Sequence, residues 1–291
     1  MRILELLPAF EANLNRRGRK ASTVGMYGKN LEPFIRWIGD RPVTEIEPHD
    51  MEMFLDWYEV DFFERHGRSP ANNTRGNVIS ALCVFFDWAT KYDHVDKSPA
   101  RRLRDEAPKR EYKLHEWLRP EEDEKLLSAC NTSTELLAVF LLRFTGLRPS
   151  EAVALRWSDV EWRDKRLWVN VREAKTSRGR RRIPVSSELR PFLVRSGPLN
   201  QADAPIFMTS TGKTWHRNQL YVVIRRVGAR AGLEVYPRRL RKTLGSSALN
   251  SGASLATVSR ILGHSTTTIT EQAYAEMLPE TVAADFLQAV G

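Results

Sequence analysis

Cysteine is nearly absent from this chain. Two thiols, Cys83 and Cys130, stand among 291 residues, which argues against a disulfide-stapled secreted fold and against a cysteine-rich zinc site. Both lie within apolar helical patterns and read as buried thiols in a reducing compartment. No apolar run reaches the length of a membrane span. The opening stretch from Met1 to Pro8 is interrupted by Glu5 and by the proline itself, so no signal-peptide core is read there and a cytosolic location is expected. Zinc-type ligand spacing, a phosphate-cradling glycine loop and the carboxylate cluster of a two-metal nuclease are all missing, so neither a metal nor a nucleotide cofactor is expected. Negative charge is also in deficit. Asp and Glu number 36 against 45 Lys and Arg, and the resulting net charge of +9 favours a polyanionic partner.

The length suggests two domains, each large enough for its own core. Residues 1–105 read as helical. Ser22 and Thr23 offer a cap, followed by Tyr27, Leu31, Phe34 and Ile38 at helical spacing. Gly39 to Pro42 breaks that helix. A second begins near Pro48 with Met51, Phe54, Leu55 and Tyr58, and the polar stretch from Phe62 to Pro70 reads as a loop. A third runs from about Ala71 with Val78, Leu82, Phe85, Phe86 and Trp88. Phe34, Phe54, Phe85 and Phe86 are expected in the core. Residues 106–118 are charged, lack apolar periodicity and read as a linker.

From residue 119 onward the pattern changes. Pro120 opens a helix with three carboxylates in its first turn. An apolar helix from Leu136 to Phe144 leads into Thr145-Gly146-Leu147-Arg148, and Pro149 starts another helix. An arginine at a helix start is well placed to grip an anion. Glu151 reads equally as a brace for that guanidinium or as a first-turn carboxylate. Arg143 and Arg156 read as ordinary helix arginines. Arg166 to Val171 and Ile183 to Val185 read as strands joined through a basic turn at Gly179, and a helix is expected within residues 214–226. His216 reads as a surface histidine.

The segment from Tyr236 to Tyr274 carries the chemistry. It holds Arg238, Arg241 and Lys242, then His264 after Leu262-Gly263, then Tyr274 ten positions later. Guanidinium groups, an imidazole and a phenol suffice to attack a phosphodiester without metal, the cations holding nonbridging oxygens and the phenol serving as covalent nucleophile. Together with the Arg148 turn, these boxes resemble the tyrosine recombinase, or phage integrase, family. The likeness reaches upstream to Ser80-Ala81-Leu82, Phe85-Phe86 and Ser98-Pro99-Ala100.

The resemblance implies a mainly α fold with a small antiparallel sheet: a helical, SAM-like core-binding domain and, over 119–291, a mixed α+β catalytic domain, the two clamping DNA. It implies Arg148, Lys175, Arg238, Arg241, His264 and Tyr274 as catalytic residues, with Lys175 a hairpin general acid. Electrostatic phosphate binding is the rival role for Lys175. Arg238 stands where the family usually has histidine, and Lys242 where a second histidine follows the arginine. An arginine can donate to an oxygen but does not exchange protons near neutral pH. Candidate DNA contacts are Arg16, Arg17, Arg19, Lys20, Arg68, Arg75, Arg178, Arg180, Lys213, His216, Arg217 and Arg225.

Val282, Phe286 and Val290 suggest a tail helix, packed on its own domain or donated to a neighbour. The family likeness implies a tetramer on DNA, working in a bacterial cytosol. The expected activity is cutting and rejoining of DNA for a phage or mobile element, with no arm-binding domain ahead of the first helix. An Xer-like resolvase, a type IB topoisomerase-like enzyme, a non-enzymatic DNA-binding protein and a metal-dependent nuclease are the rival readings.

Overall fold

The computed structural model describes residues 1–39, 41–109, 117–172, 179–196, 203–264 and 266–274. The chain divides into two compact units, Met1–Lys113 and Leu114–Gly291. Of the linker expected at 106–118, residues 110–116 lie outside the described set, as do Lys175, Arg178 and the tail beyond Tyr274. No described helix is long and apolar enough to cross a membrane.

The first unit is helical among its described residues: α1 (Ile3–Arg16), α2 (Ala21–Ile38), α3 (Pro48–His66), α4 (Asn72–Lys91) and the short α5 (Leu103–Glu106). Its core is aromatic. Phe10, Phe34, Phe54, Phe85 and Phe86 are fully buried, and Phe34 meets Phe54 edge-on at 5.0 Å while Phe85 meets Phe86 at 5.2 Å. Such pairs add about 0.5–1.5 kcal/mol each beyond the area they bury. The expected loop from Phe62 begins instead at Gly67. Phe62 is buried and stacks on His66 at 4.1 Å, and the His66 ring bonds the Phe62 carbonyl, so the helix gains a further turn.

The second unit comprises α6 (Pro120–Ser128), α7 (Ser133–Thr145), α8 (Pro149–Ala154), β1 (Val160–Arg163), β2 (Arg166–Val171), β3 (Arg181–Pro184), α9 (Arg190–Ser196), α10 (Arg217–Arg230), α11 (Pro237–Asn250), α12 (Leu255–Leu262) and α13 (Thr267–Tyr274). Its helices pack chiefly on one another, α7 against α10 and α11, with a small sheet that α12 meets along β3. The sheet is antiparallel in the order β1-β2-β3, with Val160 opposite Val169 and Val171 opposite Arg181. β1 was not read from sequence. Its turn to β2 uses Asp164 and Lys165 at φ of 50° and 62°, the two left-handed residues of a tight hairpin without the usual glycine. The fold is thus mainly helical with one small antiparallel sheet, as expected.

Arg143 is not an ordinary helix arginine. It is buried, its Nε lies 2.8 and 3.0 Å from the two Asp123 carboxylate oxygens, and Nη2 donates to the Ser247 hydroxyl at 3.1 Å, tying α6, α7 and α11 together. Arg156 likewise donates to the Asp203 carbonyl. Cys83 is buried and Cys130 only partly so, and both are free thiols.

Candidate active site

The site is built on two chain reversals, at Gly146 and at Gly263. α7 ends on Gly146 in the left-handed region, φ 62°, which turns the chain so that Arg148 becomes the cap residue of α8. The backbone N–H of Arg148 donates to Glu151 Oε2 at 2.9 Å and its Nη1 to Glu151 Oε1 at 2.7 Å. Glu151 is therefore both the guanidinium brace and the first-turn carboxylate.

α12 ends on Gly263, again left-handed at φ 67°, a conformation that favours glycine. Its last carbonyls, Ile261, Leu262 and Gly263, each accept a hydrogen bond from a different arginine: Arg181 Nε at 2.5 Å, Arg241 Nη2 at 2.6 Å and Arg148 Nη2 at 2.9 Å. Three cations thus meet the negative end of one helix. Arg241 also donates to the Gly146 carbonyl, joining the two glycine turns.

Glu151 is the one carboxylate these arginines share among the described residues. Arg181 adds bonds of 3.3 Å to Oε1 and 3.0 Å to Oε2. Burial would raise the Glu151 carboxyl, but the Arg181 and Arg148 bonds and charge outweigh it and hold the group below its ordinary range. Burial, with the charges of Arg148 and Arg181, lowers Arg241 to about 9, still cationic at neutral pH. Three guanidinium groups against one carboxylate leave this cluster suited to an anion.

His264 follows Gly263. Its Nδ1 lies 2.8 Å from the hydroxyl of Thr270, a fully buried residue on α13. Burial and the charges of Arg241, Arg148 and Arg181 push the imidazole down to about 4, so it is neutral at pH 7. One ring nitrogen then carries a proton, and the Thr270 bond bears on which. A basin of about 390 Å³ opens beside it, lined by Arg180, Arg181, Ser259, Arg260 and His264.

Tyr274, one turn after Thr270 on α13, is buried, 3% exposed. Burial raises its phenol to about 12 against the opposing charge of Arg241. The hydroxyl rests on Gly245, one turn beyond Arg241 on α11. Helical spacing sets residues 238, 241 and 245 along one stripe of α11, and Arg238 is exposed in its first turn. Lys242, on another face, is buried with its ammonium 5.4 Å from the Trp117 ring centre.

The structure therefore brings Arg148, Glu151, Arg241, His264 and Tyr274 into one region. Arg181 and Thr270 belong to it and were not singled out in the sequence. Arg181 was hidden in a basic run, yet strand alternation pairs it with buried Ile183, while Arg182 faces outward.

The proposed DNA contacts sit variously. Arg16, Arg17, Arg19 and Lys20 are exposed around the turn between α1 and α2. Arg68 lies over the Phe62 ring, and Arg75 pairs with Glu59 at 2.9 Å. Arg180, Lys213, Arg217 and Arg225 are exposed. His216 is a helix cap: its ring accepts from the Asn218 N–H at 3.3 Å.

A family model described as the phage integrase family matches residues 116–280. A tyrosine recombinase of Thermosipho africanus is 26% identical over 277 residues, covering 92% of this chain and 94% of that protein. The tyrosine recombinase XerC of Xanthomonas campestris is 28% identical over 276 residues, with 90% and 81% covered. Among solved structures, a lambda integrase dimer bound to a core site superposes with a TM-score of 0.72 at 19% identity, over 92% of this chain and 97% of that one. A Tn1549 transposon integrase in complex with transposon right end DNA gives 0.74 at 18%, over 98% and 99%. These likenesses show the fold, and the family match extends over the residues that build the site. The chain belongs to the phage integrase family of tyrosine recombinases.

Proposed function

We propose that this site-specific recombinase cuts and rejoins double-stranded DNA through a 3′-phosphotyrosyl intermediate. The Tyr274 phenol gives its proton to water, its oxygen attacks the scissile phosphorus, and the bond from phosphorus to the 5′ oxygen breaks. Lys175 gives that leaving oxygen its proton. Arg148 and Arg241 hold the nonbridging oxygens, Arg238 adds a further donor in place of the family histidine, and neutral His264 donates from Nε2. The 5′-hydroxyl of a partner duplex then reverses the step, so bond energy is conserved without a cofactor.

The observation that carries this reading is the convergence of Arg148 and Arg241 on the carbonyls that precede His264, with the Tyr274 phenol one helical turn from Arg241. Among the described residues each guanidinium has two of its five N–H donors fixed on protein, which orients it before a ligand arrives. Burial raises the Tyr274 phenol to about 12 against the opposing charge of Arg241, and cations gathered around the attacked phosphate favour its phenolate.

In this reading the first unit is the core-binding domain, with Arg16, Arg17, Arg19, Lys20, Arg68 and Arg75 on phosphates. Arg178, Arg180, Lys213 and Arg217 do the same from the second unit. The active assembly is a homotetramer, with tails exchanged between subunits, and the biological role is integration of a phage or mobile element. A second reading, an Xer-like resolvase, is favoured by the length over which the XerC relative matches. A nicked suicide duplex in excess chelator tests the chemistry. A covalent protein–DNA adduct is expected, and its absence at saturating DNA counts against the proposal. Recombinant products from paired sites separate a recombinase from a relaxing topoisomerase.

A further inference from the structure

Arg181 differs from the other arginines of the site in how its donors are used. Nε bonds the Ile261 carbonyl, Nη1 bonds Glu151 and the Gly179 carbonyl at 2.9 Å, and Nη2 bonds Glu151. Four of the five guanidinium N–H groups are thereby engaged within the protein. The side chain is 4% exposed. Arg148, by contrast, is 38% exposed and makes two such side-chain bonds among the described residues.

Glu151 accepts four hydrogen bonds, two from Arg148 and two from Arg181, which fills a carboxylate's capacity. The two arginines thus grip opposite sides of one anion, and each also holds a carbonyl of the α12 end, at 261 and 263. Gly263 closes the arrangement: a β-carbon there would stand 2.8 Å from Arg181 Nη1, so the guanidinium lies directly on the residue before His264.

We infer that Arg181 is a positioning residue for strand transfer: through Glu151 it orients Arg148, and through the Ile261 carbonyl it sets the end of α12 from which His264 projects. This deepens the function proposed above and rests on it. The Arg181 guanidinium takes no phosphate. It fixes the two groups that do, and a displacement of about 1 Å in such groups costs about 100-fold in rate.

Arg181→Met and Arg181→Lys test this beside the wild-type chain, on one nicked duplex. Three quantities are read: the salt dependence of Kd, single-turnover adduct formation at saturating DNA, and the NMR titration of His264. Lysine keeps a cation beside buried Glu151, so Arg181→Lys remains readable if Arg181→Met does not fold. The expected result is an unchanged salt slope with adduct formation about 100-fold slower for methionine and about 10-fold slower for lysine, whose point charge cannot hold Glu151 and Ile261 together. His264 should titrate at higher pH in Arg181→Met, because one of the cations opposing its protonation is gone. A salt slope shallower by about one with a wild-type rate would make Arg181 a phosphate contact and overturn the assignment. Wild-type rates in both variants with an unchanged slope would overturn it equally. The slope and the titration are read whether or not wild type forms an adduct, so failure of the reaction and failure of this assignment stay distinguishable.

Discussion

The hydroxyl of Tyr274 rests on the bare backbone of Gly245. A methyl group added there would stand 1.9 Å from the phenolic oxygen and 2.3 Å from the ring carbon that bears it. Gly245 lies inside α11, where alanine is the better helix former, so Gly245→Ala strains the tyrosine and not the helix. The variant is expected to lose about 1–3 kcal/mol by overpacking and to expose Tyr274. Denaturant unfolding and nitration at residue 274 check this: faster nitration is expected, and wild-type protection at wild-type stability would contradict the contact.

Thr270 links the imidazole to the helix that bears the nucleophile, its Oγ1 being 2.8 Å from His264 Nδ1. A threonine hydroxyl donating to Nδ1 leaves the proton on Nε2, the tautomer that serves as a phosphate donor. Thr270→Val should slow adduct formation about 10-fold or more, while Thr270→Ser retains it. Nitrogen chemical shifts of the His264 ring are the direct check. A wild-type tautomer and rate in the valine variant would remove Thr270 from the mechanism.

His264 also sets a pH dependence. Its folded value of about 4 lies below the unfolded value of 6.5, so the unfolded chain binds the proton first. The stability this neutral ring contributes is complete above about pH 6.5 and is lost as pH falls toward 4. Glu151, and Glu135 on α7, which a hydrogen bond from Arg230 holds down, are also depressed and add losses below the ordinary carboxylate value of 4.5. Unfolding free energy of wild type should therefore fall between pH 6.5 and 4.5, and His264→Gln should show a flatter curve there. Parallel curves would contradict a buried neutral histidine.

Arg143 predicts a large structural effect remote from the chemistry. Its side chain is 9% exposed and paired with Asp123 at 2.8 Å. Arg143→Ala strands that carboxylate and should cost about 3–5 kcal/mol. Arg182→Ala, which removes a pair with Glu161 exposed at 53% and 41%, should cost about 1 kcal/mol or less. Equal melting shifts for the two would refute the bracing role.

Much of this was legible in the sequence because it is written in local pattern. The stripe through Leu31, Phe34 and Ile38 gives α2, and the glycines at 146 and 263 mark helix ends that aim the residues after them. Pro8, exposed inside α1, obscured a helix whose inward face is Ile3, Leu6, Phe10 and Leu14. What local pattern cannot carry is long-range pairing. Arg181 reaches 80 positions to Ile261, and Arg143 reaches 104 to Ser247. A basic run looks solvated until the fold shows which member turns inward. Cys130 shows the reverse error, since an apolar neighbourhood in sequence did not bury it fully.

The most direct test of the account asks where the covalent bond forms. A pool of nicked duplexes with randomised arms, incubated with the chain in excess chelator, yields any adduct together with its preferred sequence. Tandem mass spectrometry of the digested adduct then locates the link. The account predicts a 3′-phosphonucleotide on the phenol of Tyr274, lost in Tyr274→Phe. A link to any other residue, or no adduct at saturating DNA, would contradict it.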